Sequence, residues 1–229
     1  MFLEKRKFKN SKGLTLSAIY EGYDKSAPTV VICHGFASSK DSISQKDLSQ
    51  KLIQGGLCVY LFDFTGCGQA EGKIGDLTPT IGLGDLKSSV KDLNLKNFAL
   101  HGTSFGGYVA LLYSSQNPVS ALTLKCPVSD YPAVIKAHSD EDERGKILRD
   151  TININIYKRV QVITAPTLII HGDADDVVPL DQSRKLIESL GSGRKGLKVI
   201  KNGPHTMRGE HMEEAHSEIV NFLRKTLLN

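Results

Sequence analysis

The stretch Leu100-His101-Gly102-Thr103-Ser104-Phe105-Gly106-Gly107 decides the fold of this chain, because it contains the pattern Gly-x-Ser-x-Gly. An apolar run, 98–100, precedes it, and a run that can be helical, 108–113, follows it. Strand, sharp turn and helix is the context in which this pattern exposes a serine hydroxyl at the tip of the turn. Glycines flank the serine because so tight a turn leaves no room for side chains. The free N–H groups of the following helix then point toward any oxyanion that forms there.

The pattern alone is a weak signal, since it arises by chance in roughly one chain of this size in ten. A glycine-rich turn whose serine has no catalytic role would show the same sequence pattern. The assignment therefore depends on the rest of the chain, where an oxyanion loop must precede the serine and an acid and a histidine must follow it.

Continuous apolar runs predict a mostly parallel β-sheet that is covered by helices on both faces. An opening hairpin over 5–8 and 14–20 precedes them, and stretches with helical spacing separate them, for example 82–95 and 215–223. We therefore predict the α/β class. The buried runs lie at 28–33, 57–62, 98–100, 121–124, 167–170 and 197–200.

The length of 229 residues fits one domain, 1–229. The segment 131–165 breaks the alternation and is too long for a simple loop. We interpret it as a small helical insertion over the sheet edge, where a lid would lie. An ordinary crossover helix with long loops is the alternative.

Composition excludes several other classes of protein. The net charge is +4, but the basic residues are scattered among acidic ones, which argues against nucleic-acid binding. No apolar run reaches the length of a membrane span, and the N-terminus has no apolar signal core. The four cysteines form no Cys-x-x-Cys pair, and three of them lie in or beside apolar runs, as is typical of free core thiols, so we expect a reduced, cytoplasmic protein.

A serine nucleophile needs backbone N–H donors for the oxyanion, and the sequence offers two. Cys33-His34-Gly35-Phe36 follows the first buried strand, and its turn leaves the next N–H free to point inward. We predict that the oxyanion hole consists of the N–H groups of Phe36 and Phe105. A plain turn at His34-Gly35 is the alternative.

The orienting acid is expected just after the strand 167–170, where Asp173, Asp175 and Asp176 follow one another closely. We choose Asp175, because Asp173 is the better candidate for supporting the turn and Asp176 for starting the next segment. Asp130, which follows the strand 121–124 along the same edge, is the alternative acid.

His205, after the last strand in the loop shaped by Gly203 and Pro204, is the predicted general base. It would bond Asp175 through one ring nitrogen and Ser104 through the other. His211 is the competitor, but it lies near the start of the last helix and has less freedom to reach the serine.

A metal site is the main competing interpretation. His34, His101 and His171 each precede a glycine at the end of a predicted parallel strand, and histidines are frequent zinc ligands. None of them shows the local spacing usual for consecutive ligands. We therefore predict no metal and no cofactor. We expect these histidines to pack behind the turns, where neighbouring groups satisfy their hydrogen bonds.

The order Ser104, Asp175, His205 resembles that of the α/β-hydrolase superfamily, and in particular the compact bacterial cinnamoyl or feruloyl esterases and acylglycerol lipases. Cys67 stands where these proteins more often carry an aromatic residue or histidine, and Gln69-Ala70 where a serine is common. The insertion 131–165 is short beside the lids of cinnamoyl esterases, which leaves the substrate open. The matching pieces are His34-Gly35-Phe36, Asp63-Phe64-Thr65-Gly66-Cys67-Gly68, Gly102-Thr103-Ser104-Phe105-Gly106, 172–179 and Gly203-Pro204-His205.

The resemblance implies a serine carboxylesterase that acts on short or medium acyl esters, or on aromatic esters of the hydroxycinnamoyl type, through an acyl-enzyme. A thioesterase, peptidase or acyltransferase on the same triad is the alternative, followed by a hydrolase-like binding protein without activity. The expected partner is a small-molecule ester. The sequence names no substrate-binding residues, and it leaves a homodimer open.

Overall fold

The computed structural model describes residues 1–137 and 141–228, which build an eight-stranded sheet. Its strands are β1 (Phe2–Lys9), β2 (Thr15–Gly22), β3 (Thr29–Cys33), β4 (Cys58–Phe62), β5 (Phe98–Thr103), β6 (Ala121–Lys125), β7 (Thr167–Gly172) and β8 (Lys195–Ile200). Their order across the sheet is β1-β2-β4-β3-β5-β6-β7-β8. The hairpin β1–β2 is antiparallel and β2 runs antiparallel to β4, whereas all pairs from β4 to β8 are parallel. The predicted mostly parallel sheet is confirmed.

Helices cover both faces of the sheet, which explains why β3, β4 and β6 are buried along their whole length. One apolar core contains residues of α1 and α8, and the other contains residues of α2, α3 and α7. The helices are α1 (Ile43–Gln54), α2 (Pro79–Asp92), α3 (Phe105–Ser114), α4 (Tyr131–Ala137), α5 (Glu141–Thr151), α6 (Ile156–Arg159), α7 (Leu180–Ser189) and α8 (Gly209–Leu227).

The segment between β6 and β7 is helical, as the sequence predicted for 131–165. It contains α4, α5, α6 and a short 3₁₀ turn, Val160–Val162, whereas residues 138–140 lie outside the described part of the chain. Helix α5 also contacts α2 across the sheet face. The function of this insertion as a lid stays a prediction.

The expectation that the chain has no membrane span can be examined only for the described residues. Among the helices of 1–137 and 141–228, none combines the length and the apolar character that crossing a bilayer requires.

Parallel topology sets the position of the site. The carboxyl ends of β3, β5, β6, β7 and β8 meet along one edge of the sheet, so the residues that follow these strands become neighbours although they are far apart in sequence.

Candidate active site

Ser104 occupies the sharp turn between β5 and α3 in a strained backbone conformation, with φ 52° and ψ −113°. Such a conformation is rare for a residue with a side chain and needs support from its surroundings. The flanking glycines allow it. A Cβ at Gly106 would lie 2.2 Å from the carbonyl oxygen of Cys33, and one at Gly102 would lie 2.5 Å from the carbonyl oxygen of Gly106. The Gly-x-Ser-x-Gly pattern thus has the structural context that it predicts.

The structure brings Ser104, His205 and Asp175 into one hydrogen-bonded line. His205 Nε2 lies 3.1 Å from Ser104 Oγ, and His205 Nδ1 lies 2.8 Å from Asp175 Oδ2. Because the carboxylate accepts the proton on Nδ1, the lone pair of Nε2 faces the serine hydroxyl. The side chain of His205 is 16% exposed and that of Asp175 is fully buried, so the line runs from the interior toward the surface.

Two hydrogen bonds hold the loops after β7 and β8 together, and this explains why Asp175 and His205 meet. The N–H of Ala174 donates to the carbonyl oxygen of Gly203 at 3.1 Å. The N–H of Asn202 donates to the carboxylate of Asp173 at 2.5 Å. Asp173 was predicted to support its own turn, whereas its carboxylate bonds the neighbouring loop after β8.

Asp175 is an acceptor for four donors. Its Oδ1 accepts the N–H groups of Val177 and Val178 at 2.9 and 2.8 Å. Its Oδ2 accepts His205 and also lies 3.1 Å from Nε2 of His171. Burial alone would raise the pKa of Asp175, but the bonds from His171, His205 and Val178 outweigh it and hold that pKa well below its usual range. The low pKa keeps the carboxylate ionised at neutral pH.

The other candidates for the acid and the base lie outside this hydrogen-bonded line. The Asp130 carboxylate accepts the N–H of Ala133 and caps the start of α4. Asp176 is exposed and precedes α7 by several residues, so it does not begin that helix. His211 is the third residue of α8, near the helix start, as expected.

Phe36 and Phe105, the two residues predicted to donate backbone N–H groups, lie side by side at this edge. Their rings pack edge to face with centroids 5.9 Å apart, and Gly35 approaches the Cβ of Ser104. Phe105 is the first residue of α3, so its N–H has no acceptor within the helix. Within the described part of the chain, neither N–H has a hydrogen-bond acceptor. The assignment of these two N–H groups to an oxyanion hole stays a prediction.

A buried ion pair anchors the loop that carries Phe36. Lys40 Nζ lies 2.9 Å from Asp63 Oδ2, with side-chain exposures of 2% and 0%. Asp63 also accepts the backbone N–H of Lys40 at 2.8 Å and that of Gln69 at 2.9 Å. Burial lowers the pKa of Lys40, but Asp41 and Asp63 more than offset this effect, and the net pKa is raised. Gln69, which departs from the family pattern, thus supports the pair by its backbone, and its side chain accepts Lys40 as well.

The three histidines of the metal hypothesis have hydrogen-bond partners. His34 accepts the N–H of Phe64 and contacts the carbonyl oxygen of its neighbour Gly35. His101 bonds two threonine hydroxyls, and burial lowers its pKa well below the ordinary value.

His171 bonds the hydroxyl of Ser183 and the carbonyl oxygen of Val178, in addition to its contact with Asp175. His171 is therefore a second histidine on the candidate acid, which the sequence analysis did not foresee.

Cys126 also belongs to this site, although its sequence suggested a core thiol. It directly follows β6, is fully buried, and has a φ of 46°, in the left-handed region. A ligand atom from each of Cys126, Asp175 and His205 lies within 4.8 Å of the other two. Burial and the Asp175 carboxylate raise the pKa of the thiol to about 12, so it is protonated at neutral pH. Its place directly after a strand, at the same edge as Asp130, was the signal in the sequence.

A second polar cluster lies between α1 and α8, on the face of the sheet opposite to α3. His216 bonds Asp47 at 2.6 Å through Nδ1, and its Nε2 lies 3.3 Å from the hydroxyl of Ser44. Lys125 Nζ lies 2.8 Å from the same hydroxyl and 3.3 Å from Nε2. Burial lowers the pKa of Lys125 to about 8, and burial together with Lys125 lowers the pKa of His216 to about 4. Because these residues come from three distant segments, the cluster could not be predicted from the sequence.

Comparison with known proteins supports the same fold. A family model described as alpha/beta hydrolase fold matches residues 28–155, and one described as serine aminopeptidase S33 matches residues 146–212. A monoacylglycerol lipase of Mycolicibacterium smegmatis is 26% identical over 237 residues, covering 79% of this chain and 82% of the relative. An uncharacterized Mycobacterium tuberculosis protein is 28% identical over 207 residues, covering 88% of this chain and 71% of the relative.

Among solved structures, Est1E from Butyrivibrio proteoclasticus with ferulic acid bound superposes with a TM-score of 0.88 at 19% identity. The superposition covers 98% of this chain and all of that one. An esterase of Pyrococcus furiosus reaches 0.81 at 21% identity, covering 99% of this chain and 91% of that one. At these identities the structures show a shared fold. Because the first family model spans more than half of the chain, and the eight-stranded, mostly parallel sheet carries a Gly-x-Ser-x-Gly turn, the protein belongs to the alpha/beta hydrolase family.

Proposed function

We propose that this hydrolase is a serine carboxylesterase that cleaves short or medium acyl esters, or aromatic esters of the hydroxycinnamoyl type. The observation that carries the proposal is the line from Ser104 through His205 to Asp175, with distances of 3.1 and 2.8 Å. In this proposal His205 removes the proton of Ser104 as the hydroxyl attacks the ester carbonyl. The N–H groups of Phe36 and Phe105 hold the oxyanion.

His205 then donates its proton to the leaving alcohol, which departs and leaves the acyl group on Ser104. A water molecule loses a proton to the same ring nitrogen and attacks the acyl-enzyme, and His205 returns that proton to Ser104 Oγ as the acid is released. The ionised Asp175 stabilises the imidazolium in both steps and fixes the tautomer. Because Cys126 is protonated at neutral pH, it does not compete as a nucleophile.

A cavity beside α3, which Ser104 and His205 do not line themselves, is the candidate pocket for part of a small or medium substrate. It has a volume of about 320 Å³ and lies between α3, the start of α4 and the segment that leads into α6. Tyr108 lines it one helical turn after Ser104, and Tyr131 lines it with a hydroxyl that has no hydrogen-bond partner among the described residues. This volume is at the lower end of those of small-molecule sites. We assign it to the non-reacting part of the substrate, with the insertion 131–165 as its cover.

A peptidase is the second candidate, because the serine aminopeptidase model matches residues 146–212. That stretch contains Asp175 and His205 but not Ser104, so it covers only the parts that esterases and peptidases would share. An ester also needs less help for its leaving group than an amide, and the carboxylate of Asp175 is engaged by His171, His205 and Val178, so it does not offer a site for a substrate amine.

The test is a substrate panel on the purified protein. It comprises p-nitrophenyl esters of increasing acyl length, methyl hydroxycinnamates, an acyl thioester and an aminoacyl p-nitroanilide. We expect turnover of the esters, with a burst of p-nitrophenol that equals the enzyme concentration for esters whose acyl-enzyme is hydrolysed more slowly than it forms. Preferred turnover of the anilide would favour the peptidase over the esterase as the function of this protein. Absence of turnover on the whole panel would contradict both.

A further inference from the structure

We propose that Cys126, Asp175 and His205 form an inhibitory site for a thiophilic divalent cation, represented by Zn²⁺. The inference rests on the proposed function only for its inhibitory effect, because cation binding itself needs no turnover. The three side chains come from the segments that follow β6, β7 and β8, and one ligand atom of each lies within 4.8 Å of the others. No other such group occurs in the described residues.

The ligand set suits Zn²⁺ rather than the common hard cations. A thiolate, an imidazole and a carboxylate are the three ligand types that zinc takes in proteins, with a fourth position left to water. Mg²⁺ and Ca²⁺ prefer oxygen ligands alone. A thiolate and a carboxylate also carry the two negative charges that neutralise a divalent cation. The buried complex would therefore have no net charge, which removes most of the cost of placing the ion there.

The distances require only a small adjustment. Tetrahedral zinc holds sulfur, nitrogen and oxygen ligands roughly 3.3–3.6 Å from one another. His205 Nδ1 and Asp175 Oδ2 are 2.8 Å apart and must separate by roughly half an ångström, whereas Cys126 must approach by up to roughly 1.2–1.5 Å. The backbone of Cys126 is held in the left-handed region, so the fold already fixes the thiol at this unusual position.

Binding would disable the proposed base by a change of tautomer. The Cys126 thiol gives its proton to solvent and its sulfur binds the cation. The Nδ1 lone pair of His205 binds as well, so the imidazole remains neutral with its proton on Nε2. That nitrogen lies 3.1 Å from Ser104 Oγ and, once protonated, cannot accept the serine proton. One proton is released for each ion bound.

The binding test uses the Ser104→Ala variant, which keeps all three ligands and needs no activity. Titration with ZnCl₂ by calorimetry in two buffers of different ionisation enthalpy measures stoichiometry and proton release. We expect one Zn²⁺ and one released proton per chain, and at least about tenfold weaker binding in Ser104→Ala/Cys126→Ser. Equal binding by the two variants, or no binding by the first, would overturn the proposal even if the protein proves to be an active esterase.

The inhibition test uses the otherwise unchanged protein and an ester that it turns over. We expect ZnCl₂ to inhibit and EDTA to restore the rate, whereas MgCl₂ has no effect. Cys126→Ser and Cys126→Ala should each need at least about tenfold more ZnCl₂ for the same fractional inhibition. Cys58→Ser is the matched control, because Cys58 is equally buried but bonds the carbonyl oxygen of Asp24 at the other end of the sheet. Equal sensitivity of the Cys126 and Cys58 variants would refute the site.

Discussion

Replacement of Lys40 by methionine tests the buried ion pair that anchors the oxyanion loop. Methionine keeps the length and apolar stem of the side chain but removes the ammonium, which bonds Asp41, Asp63 and Gln69 at 2.7, 2.9 and 3.2 Å. The Asp63 side chain is 0% exposed, so its charge would remain buried without a cation and with only backbone N–H donors. Breaking a buried pair in this way costs about 3–5 kcal/mol of unfolding free energy.

Equilibrium unfolding in urea measures this loss, provided that the dependence on urea concentration is unchanged. Lys46→Met is the matched control. Lys46 also pairs with Asp41, but at 3.5 Å and with 61% of its side chain exposed, so its loss should change the unfolding free energy by less than about 1 kcal/mol. The double variant Lys40→Met/Asp63→Asn should regain part of the stability, since no buried charge is left. A Lys40→Met loss as small as that of Lys46→Met would refute the reasoning.

Asp175→Asn should lower kcat by about 10³–10⁴ with little change in KM, because an amide cannot fix the same tautomer, and steady-state kinetics checks this. Unfolding free energy should fall by up to about 3 kcal/mol between pH 6.5 and 4, because His216 has a lowered pKa of about 4 and the unfolded chain takes up its proton first. His216→Gln should flatten that dependence in urea titrations. Gly106→Ala should abolish the soluble active enzyme, because its Cβ would meet backbone at 2.2 Å, whereas Gly84→Ala in α2 should be neutral or stabilise by up to about 1 kcal/mol in thermal unfolding.

The strands could be predicted because both faces of the sheet are covered. Continuous apolar runs therefore mark β3, β4 and β6 almost to the residue. The end of β5 was missed, since the strand continues through His101, Gly102 and Thr103. His101 is polar yet fully buried, and its hydrogen bonds to Thr123 and Thr103 offset the cost of removing the ring from water. Hydropathy cannot detect a buried polar residue that is satisfied by hydrogen bonds, here to Thr103 of the same strand and Thr123 of the neighbouring strand.

Helix α7 (Leu180–Ser189) was not predicted, and its sequence explains why. Its buried face consists of Gln182, Ser183 and Leu186, of which two are polar. Gln182 accepts the N–H of Ser129, and Ser183 bonds His171, so these polar side chains are satisfied by partners across the fold. The apolar spacing by which a helix is recognised in sequence is therefore weak here.

The positions of Ser104, Asp175 and His205 could be predicted, because each follows a strand whose carboxyl end reaches the same edge. The contacts of Cys126 and His171 with Asp175 could not. They depend on β6 and β7 being neighbours in the sheet, and on the turn after β7 folding back over its own strand. Strand order is a property of the whole fold and has no local signature in sequence.

The central claim is that Ser104 is a nucleophile activated by His205, and covalent labelling tests it most directly. The protein is treated with a fluorophosphonate, and the modified residue is located by intact-mass and peptide mass spectrometry. We predict one adduct per chain on Ser104, much slower labelling in His205→Ala, and none in Ser104→Ala. Labelling that persists in Ser104→Ala, or an adduct on another serine such as Ser44 beside His216, would contradict the account.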